Sequence, residues 1–429
     1  MNQIHQDAQQ RKRILFLLSP QSYRNGAFMQ AAERLDLDVI QAIDVPDALA
    51  REWGVELGVE FSKPDEAVPR LLEYLSQNPV QAVLSLDDSA TLIASRVSYE
   101  LDLPHNAPDA AIAARDKWIM RERLHAAQVS APVADRHALG TDTAQIKDDV
   151  RYPCVVKPNL LSGSRGVIRA NDPDELVAAF ERTRQILEKD GFTSETAGIL
   201  IEDYLPGVEV ALEGILTEGQ LQVLALFDKP DPLEGPYFEE TIYTTPSKLP
   251  PDVRQDIARC TEQASAALGL RTGPVHAELR VNDESPWIIE IAGRSIGGLC
   301  STILEFGTGQ SLEELILRHA IGERIEGSSR GSQAVGVMMI PIPEGGILRE
   351  VCGVEEASSV NGVTGVEISA RLNHPIVPLP EGSSYLGFIF ASGETPDEVE
   401  AALREAHSRL EFKISRQIRL SAHPAPASQ

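Results

Sequence analysis

The stretch HAELRVNDESPWIIEIAGR, residues 276–294, contains two apolar strands separated by a polar turn. Side-chain alternation places His276, Glu278 and Arg280 on one face of the first strand. If the second strand pairs with the first across the turn, Glu290 lies nearly opposite Glu278, and two carboxylates so placed repel each other. A divalent cation between them removes that repulsion, and Mg2+ prefers carboxylate and phosphate oxygens. The pattern predicts a metal-binding strand pair; its alternative is a solvated hairpin face that carries two acids by coincidence.

Positive charge lies close to a glycine-rich loop upstream of that strand pair. Lys157 is near the end of the apolar run YPCVVKP, residues 152–158, and Lys117 lies in a predicted helix. Glycines let backbone N–H groups approach a phosphate closely, and lysine adds a point charge. The segment lacks the Walker spacing. Taken alone, it is better interpreted as a plain turn, because many hairpins contain glycine and serine. The candidate phosphate-binding residues of the loop are Ser162, Gly163, Ser164 and Gly166.

The segment ILIEDYLPGVEV, residues 199–210, has the pattern of a strand, a turn and a second strand. Its extended part includes Glu202, Tyr204 and Leu205. Free backbone N–H and C=O groups beside apolar side chains can recognise an adenine edge. Glu209, seven residues after Glu202, is placed to hold ribose hydroxyls. In isolation, two ordinary strands joined by a turn are the favoured interpretation.

Two further polar residues lie beside predicted strand ends. Asp88 follows the predicted strand 80–86, and ligands of parallel α/β sheets bind beyond such ends. It is a candidate contact for a substrate amine or, at about even odds, part of a helix N-cap. Arg294 follows Glu290 by four residues in a glycine-rich segment, so it is a candidate for binding a carboxylate or stabilising an oxyanion. Its alternative is an ion pair with Glu278 or Glu290.

Length and composition exclude several classes of protein. A chain of 429 residues is too long for a single hydrophobic core. Its net charge of -25 disfavours nucleic acid and anionic membranes as partners. No apolar stretch reaches the roughly 18 residues of a membrane span, and the polar N-terminus lacks the apolar core of a secretion signal. The four cysteines are scattered without metal-site spacing, which favours a reducing cytoplasm.

The alternation of predicted elements indicates three regions, of the α/β and α+β classes. Residues 1–105 should form a parallel α/β domain, and residues 106–325 a central unit of two α+β subdomains. The first helix of that unit is predicted to run unbroken from Asn106 through DKWIMRERLHAA. Residues 326–429 should form an α+β lobe that ends in a disordered tail, SAHPAPASQ. The other predicted elements are strands at 13–18, 37–40, 80–86, 152–158, 198–204, 208–215, 221–227, 274–281 and 287–292, and helices near 28–35, 66–76, 173–189, 252–268, 311–320 and 396–410.

In order, type and spacing, these residues resemble those of the ATP-grasp superfamily, from about residue 80 to 325. The resemblance implies an ATP-grasp fold for the central unit and a pre-ATP-grasp domain before it. It also implies ATP and Mg2+ as cofactors, with Mn2+ as an alternative ion. The implied contacts are Lys117 and Lys157 at the α- and β-phosphates, the loop 162–166 over the phosphates, Glu202 near the adenine amino group, Glu209 at the ribose, and Glu278 and Glu290 at the metal.

Within that superfamily the chain most resembles the L-amino acid ligases. The resemblance rests on HAEL and EIAGR, on FEET at 238–241 and on VPLPEGSSYLGFIFASG at 377–393. One departure from many ATP-grasp enzymes is Ala292, which stands where they carry an asparagine metal ligand, so the number of Mg2+ ions stays open. The roles implied by this group are Arg294 at a phosphate or substrate carboxylate, His276 in the substrate pocket, Lys229 at a phosphate and Glu240 in the pocket.

The predicted function is an ADP-forming carboxylate–amine ligase that joins two L-amino acids through an acyl phosphate. The expected partners are small amino acid substrates, and a homodimer is left open. One alternative is a ligase for a different acid, such as a β-amino or dicarboxylic acid. The other is a nucleotide-binding regulator that has lost catalysis, against which the two acids of the strand pair argue.

Overall fold

The computed structural model describes residues 11–283, 285–307, 309–325 and 330–416. The predicted tail SAHPAPASQ lies outside the described residues, as do residues 326–329 at the start of the predicted C-terminal lobe. The predicted combination of α/β and α+β architecture is confirmed, with one parallel sheet and several antiparallel ones. None of the described helices is both long and apolar enough to cross a membrane.

The N-terminal region is a parallel sheet of order β3-β2-β1-β4 with helices packed on it. The strand β1 is apolar from Ile14 to Leu18 because both of its faces are covered. Ile14 and Phe16 belong to a core shared with the central region, whereas Leu15 and Leu17 pack with the helices α3 and α4. The elements are β1 (Arg13–Leu18), α1 (Asn25–Arg34), β2 (Asp38–Ile43), α2 (Asp47–Glu52), β3 (Leu57–Gly58), α3 (Pro64–Gln77), β4 (Ala82–Ser85) and α4 (Thr91–Glu100).

A small antiparallel sheet of order β5-β8-β6-β7, covered by one helix, follows in the chain. The helix α7 begins where the sequence predicts, because the Asp172 carboxylate accepts the backbone N–H groups of Asp174 and Glu175. The polar edge strand β5 and the short β7 were not predicted. The elements are α5 (Pro108–Arg115), α6 (Lys117–Ala126), β5 (Ala134–His137), β6 (Cys154–Pro158), β7 (Ile168–Ala170), α7 (Pro173–Lys189) and β8 (Ile199–Asp203).

The prediction of one unbroken helix from Asn106 is wrong, because the chain leaves helical geometry at Asp116. This residue has φ -91° and ψ 110°, and its carboxylate accepts the backbone N–H groups of Trp118 and Ile119. The Asn159 side chain also donates to Asp116, at 2.8 Å. An aspartate that caps a new helix ends the previous one. The break makes Lys117 the first residue of α6.

The largest sheet has eight strands in the order β13-β12-β9-β10-β11-β16-β20-β18. Every described pair of neighbours within it is antiparallel. Helix α8 packs on one face with α5 and α6, and α9 packs on the other. The central elements are β9 (Val208–Thr217), β10 (Gln220–Asp228), β11 (Ile242–Thr245), α8 (Pro251–Leu268), β12 (Gly273–Val281), β13 (Pro286–Ala292), β14 (Glu305–Phe306), β15 (Gln310–Ser311) and α9 (Leu312–Ala320).

The C-terminal region extends this same sheet, because β16, β20 and β18 continue it beyond β11, and it also forms a separate antiparallel sheet of order β19-β17-β21. The proposed division at residues 325/326 therefore falls between strands of one sheet. Helix α11 begins at residue 396 as predicted, and Thr395 and Glu398 form a capping box at its start. The elements are β16 (Ala334–Ile340), β17 (Gly346–Cys352), α10 (Val354–Ser358), β18 (Val363–Ile368), β19 (Pro375–Ile376), β20 (Gly387–Gly393), α11 (Pro396–Ser408) and β21 (Glu411–Ser415).

Candidate active site

A cavity of about 430 Å3 lies where the small sheet, the eight-stranded sheet and the N-terminal region meet. It gathers residues that are far apart in the sequence, from Ser19 to Tyr385. Of the site residues predicted from the sequence, only Gly166 and Lys229 do not line it. Those that do are Asp88, Lys117, Lys157, Ser162, Gly163, Ser164, Glu202, Tyr204, Leu205, Glu209, Glu240, His276, Glu278, Glu290 and Arg294.

The predicted pairing of the two acidic strands is confirmed: β12 and β13 are antiparallel, and Glu278 is the register partner of Glu290. A bulge follows Glu278, so the register shifts at Leu279. The two acids contact different basic side chains. Glu290 lies 3.3 Å from the ammonium of Lys117, and Glu278 lies 3.4 Å from His276 Nε2. Both carboxylates keep part of their surface exposed, 22% for Glu278 and 28% for Glu290, so each is accessible to a ligand in the cavity.

The third predicted acid, Glu202, is by contrast almost inaccessible to solvent. Its carboxylate lies 2.5 Å from Lys157 Nζ and 2.9 Å from Arg121 Nε, and all three side chains are nearly inaccessible. Burial opposes ionisation of Glu202, but the charges of Arg121 and Lys157 outweigh it and lower the pKa of the carboxyl. Burial also lowers the pKa of Lys157 to about 8, against the raising effect of Glu202. Arg121 was not singled out in the sequence, since an arginine inside a predicted amphipathic helix carries no local signal.

Lys229 does not line the cavity and is surrounded by three carboxylates. Its ammonium contacts Glu209 at 2.8 Å, Glu240, and Glu278 at 3.7 Å. Burial lowers the pKa of Lys229, but the three acids more than offset this and hold the pKa well above its ordinary value. These carboxylates lie within 4.8 Å of one another, which is close enough to share a cation. Here the cation is Lys229 itself, and the predicted contact of this lysine with a phosphate stays a prediction.

Arg294 pairs with Asp88, which is neither of the partners considered from the sequence. Its Nε lies 2.9 Å from both oxygens of Asp88, and its Nη2 lies 2.9 Å from one of them. The pair joins the N-terminal region to the end of β13. Burial raises the pKa of Asp88, but the charge of Arg294 outweighs it, so the pKa is lowered. The neighbouring Asp87 also lines the cavity, and its buried Oδ2 has no hydrogen-bond partner among the described residues.

Two regions of the chain match models of known protein families. Residues 150–303 match the ATP-grasp domain, and residues 338–415 match the L-amino acid ligase C-terminal domain 2. A crystal structure of an L-amino acid ligase from Bacillus licheniformis superposes with a TM-score of 0.81 at 27% identity, covering 95% of this chain and 99% of that one. The chain is an ATP-grasp ligase. The family prediction made from the sequence is thereby confirmed.

Curated relatives of the ligase match stretches of different length. Dapdiamide A synthase from Enterobacter agglomerans is 28% identical over 252 residues, 58% of each chain. An uncharacterized protein, y4rH, from Sinorhizobium fredii is 22% identical over 412 residues, 95% of this chain and 84% of its own. The enzyme class of an ADP-forming ligase for carbon–nitrogen bonds rests on these similarities together.

Two buried residues of the ligase, Arg24 and Glu213, support the site but were not predicted. Arg24 donates to the carbonyl oxygens of Leu86, Ser295 and Ile296, and burial together with Arg294 lowers its pKa to about 10. Glu213 accepts from the backbone N–H of Ile296 at 3.0 Å and lies 3.1 Å from His276 Nδ1. Neither residue stands in a recognisable motif, so only the packing reveals these roles.

The glycine-rich loop of the ligase has positive φ at Gly163, Ser164 and Gly166, which a loop of small residues tolerates best. The loop contacts the C-terminal region: the Gly166 N–H donates to the carbonyl of Pro380 at 2.9 Å, and Arg165 Nε donates to that of Glu381 at 2.9 Å. A Cβ on Gly163 would lie 3.1 Å from the Ser383 side chain. These contacts hold the loop against the C-terminal region, and Gly163, Ser164 and Ser383 line the cavity beside them.

Proposed function

We propose that this ATP-grasp ligase joins two amino acids into a dipeptide through an acyl phosphate, with release of ADP and phosphate. The observation that carries the proposal is the shared cavity: a partly exposed acid pair, two lysines beside a glycine loop, and the Asp88–Arg294 pair all line it. Phosphate-binding groups at one end and a pair of opposite charges at the other suit a nucleotide and a zwitterion, respectively.

The donor set of the acid pair fits Mg2+. Glu278 and Glu290 offer carboxylate oxygens that face the cavity, and Mg2+ takes one or two carboxylates together with phosphate oxygens. When bound, the ion neutralises negative charge on the transferring phosphate. Mn2+, which accepts the same ligands, is the alternative. The Ala292 methyl offers no donor, so phosphate oxygens or water complete the coordination.

For the nucleotide, we assign Lys117 and Lys157 to the inner phosphates and the loop 162–166 to the outer face of the phosphate chain. Tyr204 and Leu205 follow strand β8. The Tyr204 N–H donates to the Pro153 carbonyl at 3.3 Å, so we assign the adenine edge to the Tyr204 carbonyl and the Leu205 backbone. In the apo arrangement the Glu202 carboxylate is already bonded to Arg121 and Lys157. Its proposed contact with the adenine amino group must therefore use the remaining acceptor positions of its oxygens.

The proposed chemistry has two displacements. The carboxylate of the first amino acid attacks the γ-phosphorus of ATP, and the bond from that phosphorus to the bridging oxygen breaks to release ADP. The deprotonated amine of the second amino acid then attacks the acyl carbon, and the bond to the phosphate oxygen breaks to release phosphate. Lys117 and Arg294 stabilise the negative charge that develops in both steps. His276, held by Glu213, lines the side of the cavity where the acyl group lies.

The Asp88–Arg294 pair suits a zwitterion, because each of its charges can exchange its partner for the opposite charge of a substrate. An amino acid carboxylate replaces Asp88 at Arg294, while an ammonium binds Asp88 and the unpartnered Oδ2 of Asp87. We place Glu240 in the pocket of the first amino acid, together with Tyr243 and Tyr385, which also line the cavity. The homodimer and the cytoplasmic location remain expectations of the proposal.

A screen for ADP release tests this function. Purified enzyme is given ATP, Mg2+ and pairs of amino acids, with β-amino and dicarboxylic acids as further arms, and products are identified by mass spectrometry. We expect ADP, phosphate and a dipeptide in equal amounts for at least one pair of α-amino acids. Turnover only with β-amino or dicarboxylic acids would show that the substrates belong to that class instead of the α-amino acids. Absence of ADP with every pair would contradict the ligase function and favour a nucleotide-binding regulator.

A further inference from the structure

A second cavity, of about 140 Å3, shares Arg24, Asp88 and Arg294 with the first. Its other walls come from strand β4, from helices α1, α4, α5 and α9, and from the segments that lead into β12 and out of β13. Much of its lining consists of small side chains, among them Ala94 and Ala111. The two cavities thus meet at the ion pair assigned above to substrate binding.

The cations that line the first cavity already have partners. Arg24 donates to three carbonyl groups, and the others form ion pairs with carboxylates. A substrate carboxylate can bind one of them only by displacing an internal partner. These ion pairs are Lys117 with Glu290, Lys157 with Glu202, Arg280 with Glu209, and Arg294 with Asp88.

Arg115 differs from all of these. It is the last residue of α5, is partly buried, and lines the second cavity. Within the ranges that the structure describes, its guanidinium forms neither a hydrogen bond nor an ion pair. In a protein with a net charge of -25, a partly buried arginine without an acidic partner is a ready-made site for an anion.

Dipeptide synthesis needs such a site. If two amino acids are joined, the carboxylate of the first is consumed by phosphorylation, but the second keeps its carboxylate while its amine reacts. A carboxylate brought into a closed cavity without a cation or hydrogen-bond donors is strongly disfavoured. Arg294 is assigned to the first substrate, so a second cation is required on the amine-donor side.

We propose that the second cavity binds the amine-donating amino acid, with its carboxylate on Arg115 and its amine at the junction with the first cavity. This inference rests on the proposed function and adds the chemistry of the acceptor: a carboxylate-bearing amine with a small side chain. The volume supports the size limit, because the second cavity measures about 140 Å3 against about 430 Å3 for the first. A simple amine, or an amino acid amide, lacks the group that Arg115 recognises.

The test compares L-alanine with L-alaninamide as amine donors, using the best carboxylate substrate from the ADP screen. In the unaltered enzyme we expect L-alanine to be preferred in kcat/KM. In Arg115→Gln that preference should fall by about 10- to 100-fold, through a higher KM for L-alanine, with the KM values of ATP and of the first amino acid unchanged. Arg115→Lys should restore part of the preference.

The matched control is Arg96→Gln on the adjacent helix α4, where the arginine is paired with Asp65 on the surface and does not line the cavity. This variant should keep the wild-type preference. An unchanged preference in Arg115→Gln would overturn the inference while leaving dipeptide synthesis intact. Equal loss of activity with both amine donors would also overturn it, because the arginine would then act on something other than the carboxylate. Absence of ADP formation in the unaltered enzyme would instead contradict the proposed function.

Discussion

The cavity has acids at two ends, and their surroundings differ sharply. Glu202, at the small sheet, is only 3% exposed in its side chain and is neutralised by Arg121 and Lys157. Glu278 and Glu290, on the large sheet, are 22% and 28% exposed, and each has a looser contact with its nearest cation. An acid whose charge is already balanced holds structure together, whereas an accessible, loosely paired acid remains available for an ion. The comparison separates residues that build the cavity from residues that act in it.

The largest expected effect concerns the accessible acids. Glu290→Gln should lower turnover by about three orders of magnitude, as the loss of a preorganised electrostatic contact does, while the fold stays intact. The substitution removes a proposed metal ligand but leaves the amide within reach of Lys117. ADP formation and the thermal unfolding midpoint measure the two effects. The control is Glu350→Gln, which removes an acid from a surface ion pair with Lys413. Near-normal turnover in Glu290→Gln would contradict the metal assignment.

The buried acid should behave in the opposite way. Glu202→Gln leaves the charges of Arg121 and Lys157 without their counter-charge, so we expect the free energy of unfolding to fall by about 3 kcal/mol. Urea denaturation measures the change, with the exposed Glu181→Gln as the control on the same subdomain. An unchanged urea midpoint would mean that Glu202 contributes nothing to the fold.

The same prediction has a pH dependence. Because the pKa of Glu202 is lowered in the folded protein, its stabilisation is fully present above the ordinary glutamate pKa of about 4.5 and disappears as the pH falls through the lowered value. The difference in stability between wild type and Glu202→Gln should therefore shrink below about pH 4.5. A difference that stays constant into this acid range would contradict the ionised pair.

A smaller effect is expected for Lys157, which both pairs with the buried Glu202 and is assigned to the inner phosphates of ATP. Lys157→Ala should weaken ATP binding by about 1.5 to 3 kcal/mol, the range for a hydrogen bond to a charged group, and leave amino acid binding unaffected. Isothermal titration with ATP and with amino acids measures both affinities. Lys248→Ala, which breaks a surface ion pair with Asp397, is the control. Unchanged nucleotide affinity would make Lys157 a purely structural partner of Glu202.

The sequence alone predicted the acid pair because a strand pair with a short turn has a nearly fixed register. It predicted helix α7 for a related reason, since Asp172 and Pro173 are a local signal for a helix start. It failed at Asp116, where an aspartate inside an apolar periodic stretch ends one helix and caps the next. That outcome depends on Asn159, 43 positions away, and no local pattern contains it.

Long-range partners explain the rest of what sequence reasoning missed. Arg121, Arg24 and Glu213 act through groups on other elements, and Arg294 pairs with Asp88, 206 positions away. Alternation along a strand shows which face of the sheet a side chain occupies. Which charged residue becomes its partner on that face depends on the packing of other elements. The candidate site could thus be predicted as a set of residues, whereas its internal pairing could not.

The central claim is that a carboxylate attacks the γ-phosphorus of ATP, and isotope transfer tests it most directly. An acid substrate labelled with 18O in its carboxyl group is incubated with ATP, Mg2+ and the amine donor, and the products are analysed by mass spectrometry. The proposed arrangement, with two lysines on the inner phosphates and Arg294 near the acid pair, predicts 18O in inorganic phosphate and unlabelled ADP. Label in AMP would show attack at the α-phosphorus and would contradict the acyl-phosphate mechanism.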